Sequence, residues 1–102
     1  MKKTYSTLFL TTVFMLSAGT VQASVEHGQK LFKQSCSFCH GNNAEKSALN
    51  QSKILNQLPA SEIVNSLKAR KEGQIVGAGN AAKSRLSPED MQAIADFIQT
   101  LK

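Results

Sequence analysis

The residues best able to do chemistry stand together at Cys36-Ser37-Phe38-Cys39-His40. Two thiols three positions apart can add to the two vinyl groups of a porphyrin, and the imidazole beside the second can reach its iron. C-x-x-C-H is the attachment pattern of c-type haem. Two other readings compete with it. A disulfide or a thioredoxin-like C-x-x-C pair expects a surrounding βαβ pattern, which the chain lacks. A zinc half-site needs two further Cys or His ligands, and the chain offers only His27 and no third cysteine. The pattern therefore implies one covalent haem c bound through Cys36 and Cys39, with His40 beside the iron.

The elements around this motif belong to one short domain. Lys2 and Lys3 form a positive n-region, Leu8 to Leu16 a short apolar run, and Val21-Gln22-Ala23 a small-residue cleavage site. This is the grammar of a secretory signal, and the apolar run is too short for a comfortable membrane span. Residues 1–23 are expected to be removed after Ala23, leaving a periplasmic protein with no stable membrane insertion. The remaining domain, 24–102, has 79 residues. A chain of that size has a marginal core of its own, and a covalent haem would supply a large apolar plate for short helices to pack on. Without Lys2 and Lys3 the formal charge falls from +5 to +3. That mildly basic surface suits an acidic protein partner. There is no basic run, and only phenylalanines remain as aromatics after residue 23, so nucleic acid is not an expected partner.

Periodicity gives an all-α domain. Val25, Gly28, Leu31 and Phe32 recur at helical spacing and predict a first helix from Val25 to about Gln34, running straight into the cysteines. Gly28 inside a helix costs about 1 kcal/mol relative to alanine. It marks either a close approach of another element or a tolerated glycine near a frayed end. Residues 44–58 are polar with scattered Leu49, Ile54, Leu55 and Leu58, which are expected to fold over one haem edge around a short helix. A second clear helix follows Pro59, with Ser61 in its cap or first turn. Its apolar face is Ile63, Val64 and Leu67, its C-terminal end carries Lys68, Arg70 and Lys71, and Gly73 stops it. Gln74 to Arg85 reads as a loop. Ser87-Pro88-Glu89-Asp90 then carries the marks of an N-cap, an N1 proline and a capping box. The last helix bears Met91, Ile94, Ala95, Ile98 and Leu101 on one stripe, with Phe97 beside it.

The mature sequence as a whole resembles the small class I bacterial cytochromes c. The resemblance rests on a G-x-x-L-F segment (Gly28, Leu31, Phe32) before CSFCHG, and on the closing segment L-S-x-E-D-M-x-x-I-A-x-F-I (Leu86 to Ile98). It implies short helices wrapped around a covalent haem, with the N- and C-terminal helices crossing where Gly28 meets Phe97. It also implies that His40 is the proximal iron ligand. Such proteins usually take a distal methionine four to seven residues before the L-S start. Here those positions, Gly79 to Ala82, read GNAA. The proline that usually follows the haem motif, and whose carbonyl holds the proximal histidine, is replaced near Gln51-Ser52-Lys53.

The sixth ligand is therefore open. Met91 is the only methionine after residue 23, and its place on the apolar stripe makes it a core residue. His27 falls on the wrong side of the haem by the same resemblance. Asn80 sits close to the expected position and is the distal candidate, though a carboxamide is a weak ligand and Asn80 also suits a turn beside Gly79. Lys83 would have to lose its proton and its hydration to bind iron. An empty or water-filled distal site completes the set. The resemblance implies a monomeric electron carrier working with redox partner proteins, and the mildly basic surface suits an acidic docking face on those partners. The missing methionine raises an alternative, a high-spin or weakly six-coordinate protein that binds NO, CO or O2. An enzymatic role would need a distal acid or base, and residues 74–86 contain no histidine or carboxylate.

Overall fold

The structure, a computed structural model, describes residues 19–102. The charged and apolar parts of the expected targeting segment lie outside the described residues. Helix α1 spans Gly19–Ser35, α2 is the single turn Ser37–His40, and α3 spans Ala60–Lys71. Helix α4 is the single turn Asn80–Lys83, and α5 spans Pro88–Gln99. Single 3-10 turns occupy Ala48–Asn50 and Leu55–Gln57, and no strand occurs among the described residues. None of the described helices is long and apolar enough to cross a membrane.

The helix α1 begins earlier than the apolar spacing predicts, at Gly19 rather than Val25, and continues through Ala23. Nothing between Gly19 and Val25 is a proline, and a helix nucleated downstream extends at little cost. Its buried face is Gly28 and Phe32, and it packs against α5. There Phe32 is fully enclosed and Phe97 is 5% exposed, with ring centroids 5.6 Å apart and planes tilted by 53°. A tilted aromatic pair of this kind adds about 0.5–1.5 kcal/mol beyond the area it buries. Met91, Ile94, Ala95 and Ile98 continue the buried stripe of α5, and Ile63 and Leu67 bring α3 onto it.

Gly28 sits where the two helices meet, and its nearest neighbours there are backbone atoms of α5. An added Cβ would lie 1.9 Å from the Ala93 carbonyl oxygen and 2.9 Å from the Ile94 nitrogen. The glycine thus admits the backbone of α5 itself, one turn before Phe97, whose ring packs on Phe32.

The capping signals are realised in full. Ser87 Oγ accepts from Asp90 N at 3.0 Å, Asp90 Oδ2 accepts from Ser87 N at 3.0 Å, and Pro88 opens the helix. Asp90 also reaches α1, with Oδ1 2.7 Å from His27 Nε2. The His27 hydrogen bond first, and the Ser87 backbone second, hold the Asp90 carboxyl below the usual carboxylate range. A depressed carboxylate stabilises the fold fully above its unfolded pKa, and that stabilisation is lost as pH falls through the folded value. Asp90→Ala removes the return half of the capping box and the tie to α1, while Ser87 Oγ keeps its bond from the backbone nitrogen of residue 90. A loss of about 0.5–1.5 kcal/mol at neutral pH is expected from the lost hydrogen bond to Ser87 N, with little added by a partly exposed ion pair. Thermal melts of the two proteins should converge as the pH falls below about 4.

Between the cysteine motif and α3 the chain departs from the expected short helix. Leu55 and Leu58 do pack on the core, and Ile54 is half-buried. Leu49 is 66% exposed in a positive-φ conformation (φ 56°) and lies outside the core. At the end of α3, Gly73 takes φ +78° and Gln74 N donates to Ala69 O at 2.9 Å. That left-handed closure turns the chain into an exposed segment, residues 71–79. The expected loop from Gln74 to Arg85 is interrupted by α4.

Candidate functional site

The thiols stand on a turn that the backbone builds from both sides. Cys36 N donates to Phe32 O at 2.8 Å, so the last turn of α1 delivers the first cysteine. His40 N then donates to Cys36 O at 3.0 Å and Gly41 N to Ser37 O at 2.8 Å, winding α2. Residues three apart share a face of a helical turn, which brings Cys36 and Cys39 together and sets His40 beside them. Gly41, at φ +84°, ends the turn where a side chain would strike the Glu45 carboxylate.

Both cysteines are free thiols, Cys36 half-buried and Cys39 exposed. Burial pushes the Cys36 thiol up, partly opposed by the Lys83 ammonium. Burial also pushes His40 down, and Lys83 and then Arg70 add to that, while the Lys46 backbone pulls weakly upward. The neutral imidazole that results is the form that binds a metal. The Lys46 backbone makes no hydrogen bond of ordinary geometry to the ring: His40 Nδ1 is buried without any partner. An unpaired buried nitrogen costs about 1–3 kcal/mol, so a histidine held this way has a purpose outside the protein's own hydrogen bonding.

The distal candidate Asn80 opens α4, and its carboxamide has another occupation. Nδ2 donates to Ile75 O at 2.7 Å and to Arg70 O at 3.5 Å, and Oδ1 accepts from Arg70 Nη1 at 3.4 Å. Asn80 thereby ties the exposed 74–79 segment to the end of α3. Arg70 was legible only as a cation suited to a helix C-terminus. No local signal pairs it with a residue ten positions on. Lys71 Nζ makes a second tie, to Leu86 O.

Lys83, the last residue of α4, is half-buried. Burial and Arg70 push its ammonium down, and the two cysteines act the other way. Its charge is thus felt by all three residues of the haem motif. Met91, at 1% exposure, is enclosed in the core, and His27 is engaged with Asp90.

These features suit a covalently held haem. Two free thiols share one turn with a neutral imidazole whose Nδ1 is unpaired. Large apolar side chains are left in water as well: Phe38 is 98% exposed and Val76 89%. The ligand set of a bare metal is not assembled, because no three His, Cys, Asp or Glu side chains gather among the described residues.

An all-α fold that presents C-x-x-C-H on a single turn at the end of its first helix defines a small haem protein of the electron-transfer class. The chain belongs to the cytochrome c family, whose sequence model matches residues 25–102. It is similar to cytochrome c-553 of Helicobacter pylori, from each of two strains. Identity is 40% over 74 residues, covering 72% of this chain and 77% of the relative. No solved structure is significantly similar to it. The chain is therefore a small monohaem class I cytochrome c with one covalent haem c.

Proposed function

We propose that the protein is exported, loses residues 1–23 behind Ala23, and works in the periplasm as a monomeric electron carrier rather than an enzyme. Cys36 and Cys39 form the two thioether bonds and His40 is the proximal ligand. The observation that carries this reading is the α2 turn: two free thiols and a neutral histidine with an unpaired Nδ1. When bound, the haem supplies a one-electron ferric/ferrous couple.

The chain's own residues do the rest. The Phe32 carbonyl and the α2 hydrogen bonds fix the thiols, and burial keeps the His40 imidazole neutral. Phe38 and Cys39 are exposed beside each other, so partners approach the motif without displacing the fold. The formal charge of +3 on residues 24–102 favours redox partners with an acidic docking face, through faster encounter at low ionic strength. The 74–86 segment contains no histidine or carboxylate to serve as a distal acid or base, which supports a carrier over a catalyst.

The second reading, binding of NO, CO or O2 at an open distal site, is motivated by the absence of a methionine at Gly79 to Ala82 and by the engagement of Asn80 elsewhere. Absorption spectra of the ferric and ferrous holoprotein, with and without CO, separate the two. A carrier is expected to be low-spin and nearly unaffected by CO. High-spin bands that shift fully on adding CO would replace it with the gas-binding reading.

A further inference from the structure

We propose that Lys83 supplies the sixth ligand, its Nζ taking the distal position that a methionine holds in similar proteins. The inference rests on the carrier reading above and names the group that keeps its distal site closed.

The first support is steric. The distal methionine of similar proteins falls within positions 79–82 here, and position 79 is a glycine at φ +82°. A Cβ built on Gly79 would lie 2.9 Å from Lys83 Nζ. The lysine amine thus occupies the space from which a side chain at residue 79 would set out. It reaches there because α4 is one helical turn: residue 83 stands above residue 79, and helical side chains lean toward the N-terminus. Glycine at 79 leaves that path free.

The second support is where α4 points. Lys83 is half-buried, and its charge acts on Cys36 and His40 of the haem motif, so α4 places its head group within electrostatic reach of that motif. The turn that carries it is fixed at its start by Asn80, through Ile75 O at 2.7 Å. It is continued at its end by Ser84 N donating to Asn80 O at 2.9 Å. Asn80, on this reading, is a positioning residue for α4 and not the ligand.

The third support is an inventory of donors. His27 is held by Asp90, Met91 is enclosed, and the Asn80 carboxamide is engaged. Arg70 also faces the site, but a guanidinium keeps its proton and has no lone pair to offer. Of these side chains only Lys83 has a lone pair to offer, once its ammonium has lost a proton. Ligation breaks one N–H bond of the ammonium, releases that proton to solvent, and places the freed lone pair on the iron. The charge of the iron centre is unchanged, and no electron is transferred. An amine does not raise the potential in the way that methionine does, so a lower potential than that of a His/Met relative is expected.

The competing assignment for Lys83 is an ammonium paired with a haem carboxylate. Lys83→Ala and Lys83→Arg separate the two, since arginine keeps the charge but cannot ligate. The holoproteins are compared by near-infrared magnetic circular dichroism, which distinguishes nitrogen–nitrogen from nitrogen–sulfur axial pairs, and by CO difference spectra. Far-UV circular dichroism confirms folding. The expected result is a wild-type nitrogen–nitrogen low-spin signal, lost in both variants, with both shifting fully on CO. His27→Ala should keep the wild-type signal. A low-spin wild type with Lys83→Ala and Lys83→Arg unchanged overturns the ligand assignment and leaves the carrier reading standing. A high-spin, CO-reactive wild type overturns both.

Discussion

Gly28→Ala is expected to destabilise the protein by about 3 kcal/mol or more, although alanine is the better helix former by about 1 kcal/mol. The two effects have opposite signs, and geometry decides between them. The new Cβ would stand 1.9 Å from the Ala93 carbonyl oxygen and 2.3 Å from its carbon, against about 3.5–4.0 Å for a comfortable carbon contact. Both atoms are backbone inside α5, so no side chain can rotate out of the way. The helices must separate, and the Phe32–Phe97 pair on the following turns opens with them. Overpacking in a well-filled core typically costs about 1–3 kcal/mol, and a backbone-on-Cβ collision of this depth lies at or beyond the upper end. A domain of 79 residues has on the order of 4–12 kcal/mol in total. Denaturant titration of purified holoprotein measures the change, with the yield of haem-loaded protein as a second readout. A midpoint that rises by the helix-propensity amount would mean that α1 and α5 do not meet at Gly28.

That glycine also marks what sequence can carry. C-x-x-C-H, the Ser87–Asp90 box and the stripe of α5 are local, and each is complete within a few residues. The structure accordingly builds them where the pattern puts them. Gly28 was legible as a close approach, but the Ala93 backbone as its nearest neighbour was not. A glycine reports that something comes near, not which atom. The start of α1 was misplaced because apolar spacing records only the packed part of a helix, not the exposed turns that precede it. Leu49 stands outside the protein core, and one leucine in a polar stretch has no period from which that could be read. Arg70, Asn80 and Lys83 were hidden more deeply. Their grouping depends on the left-handed turn at Gly73 and on the single helical turn that follows Gly79, and each is a backbone choice whose consequence lies several residues away. The distal side of this protein is built from such choices, and the proximal side from one contiguous motif.

Cys36→Ser combined with Cys39→Ser is expected to leave no covalent haem, and His40→Ala to keep it but lose its low-spin character. The three residues share one turn, yet their chemistry is separable. A hydroxyl is a far weaker nucleophile than a thiolate, so the serine pair cannot form thioethers, and any retained haem depends on axial bonds and apolar packing alone. Haem staining of the denatured protein, strong in the wild type, should vanish in the double variant. Alanine at position 40 leaves both thiols in place on α2. The stain should persist while the ferric spectrum moves to high spin and CO binds fully. The serine pair should also lower thermal stability well beyond what replacing one half-buried and one exposed thiol explains, because a ligand that binds only the folded chain stabilises it and a domain of this size is marginal without one. Persistent staining in the double variant would detach the cofactor from Cys36 and Cys39. An unchanged low-spin spectrum in His40→Ala would move the proximal ligand elsewhere, even with both thioethers intact.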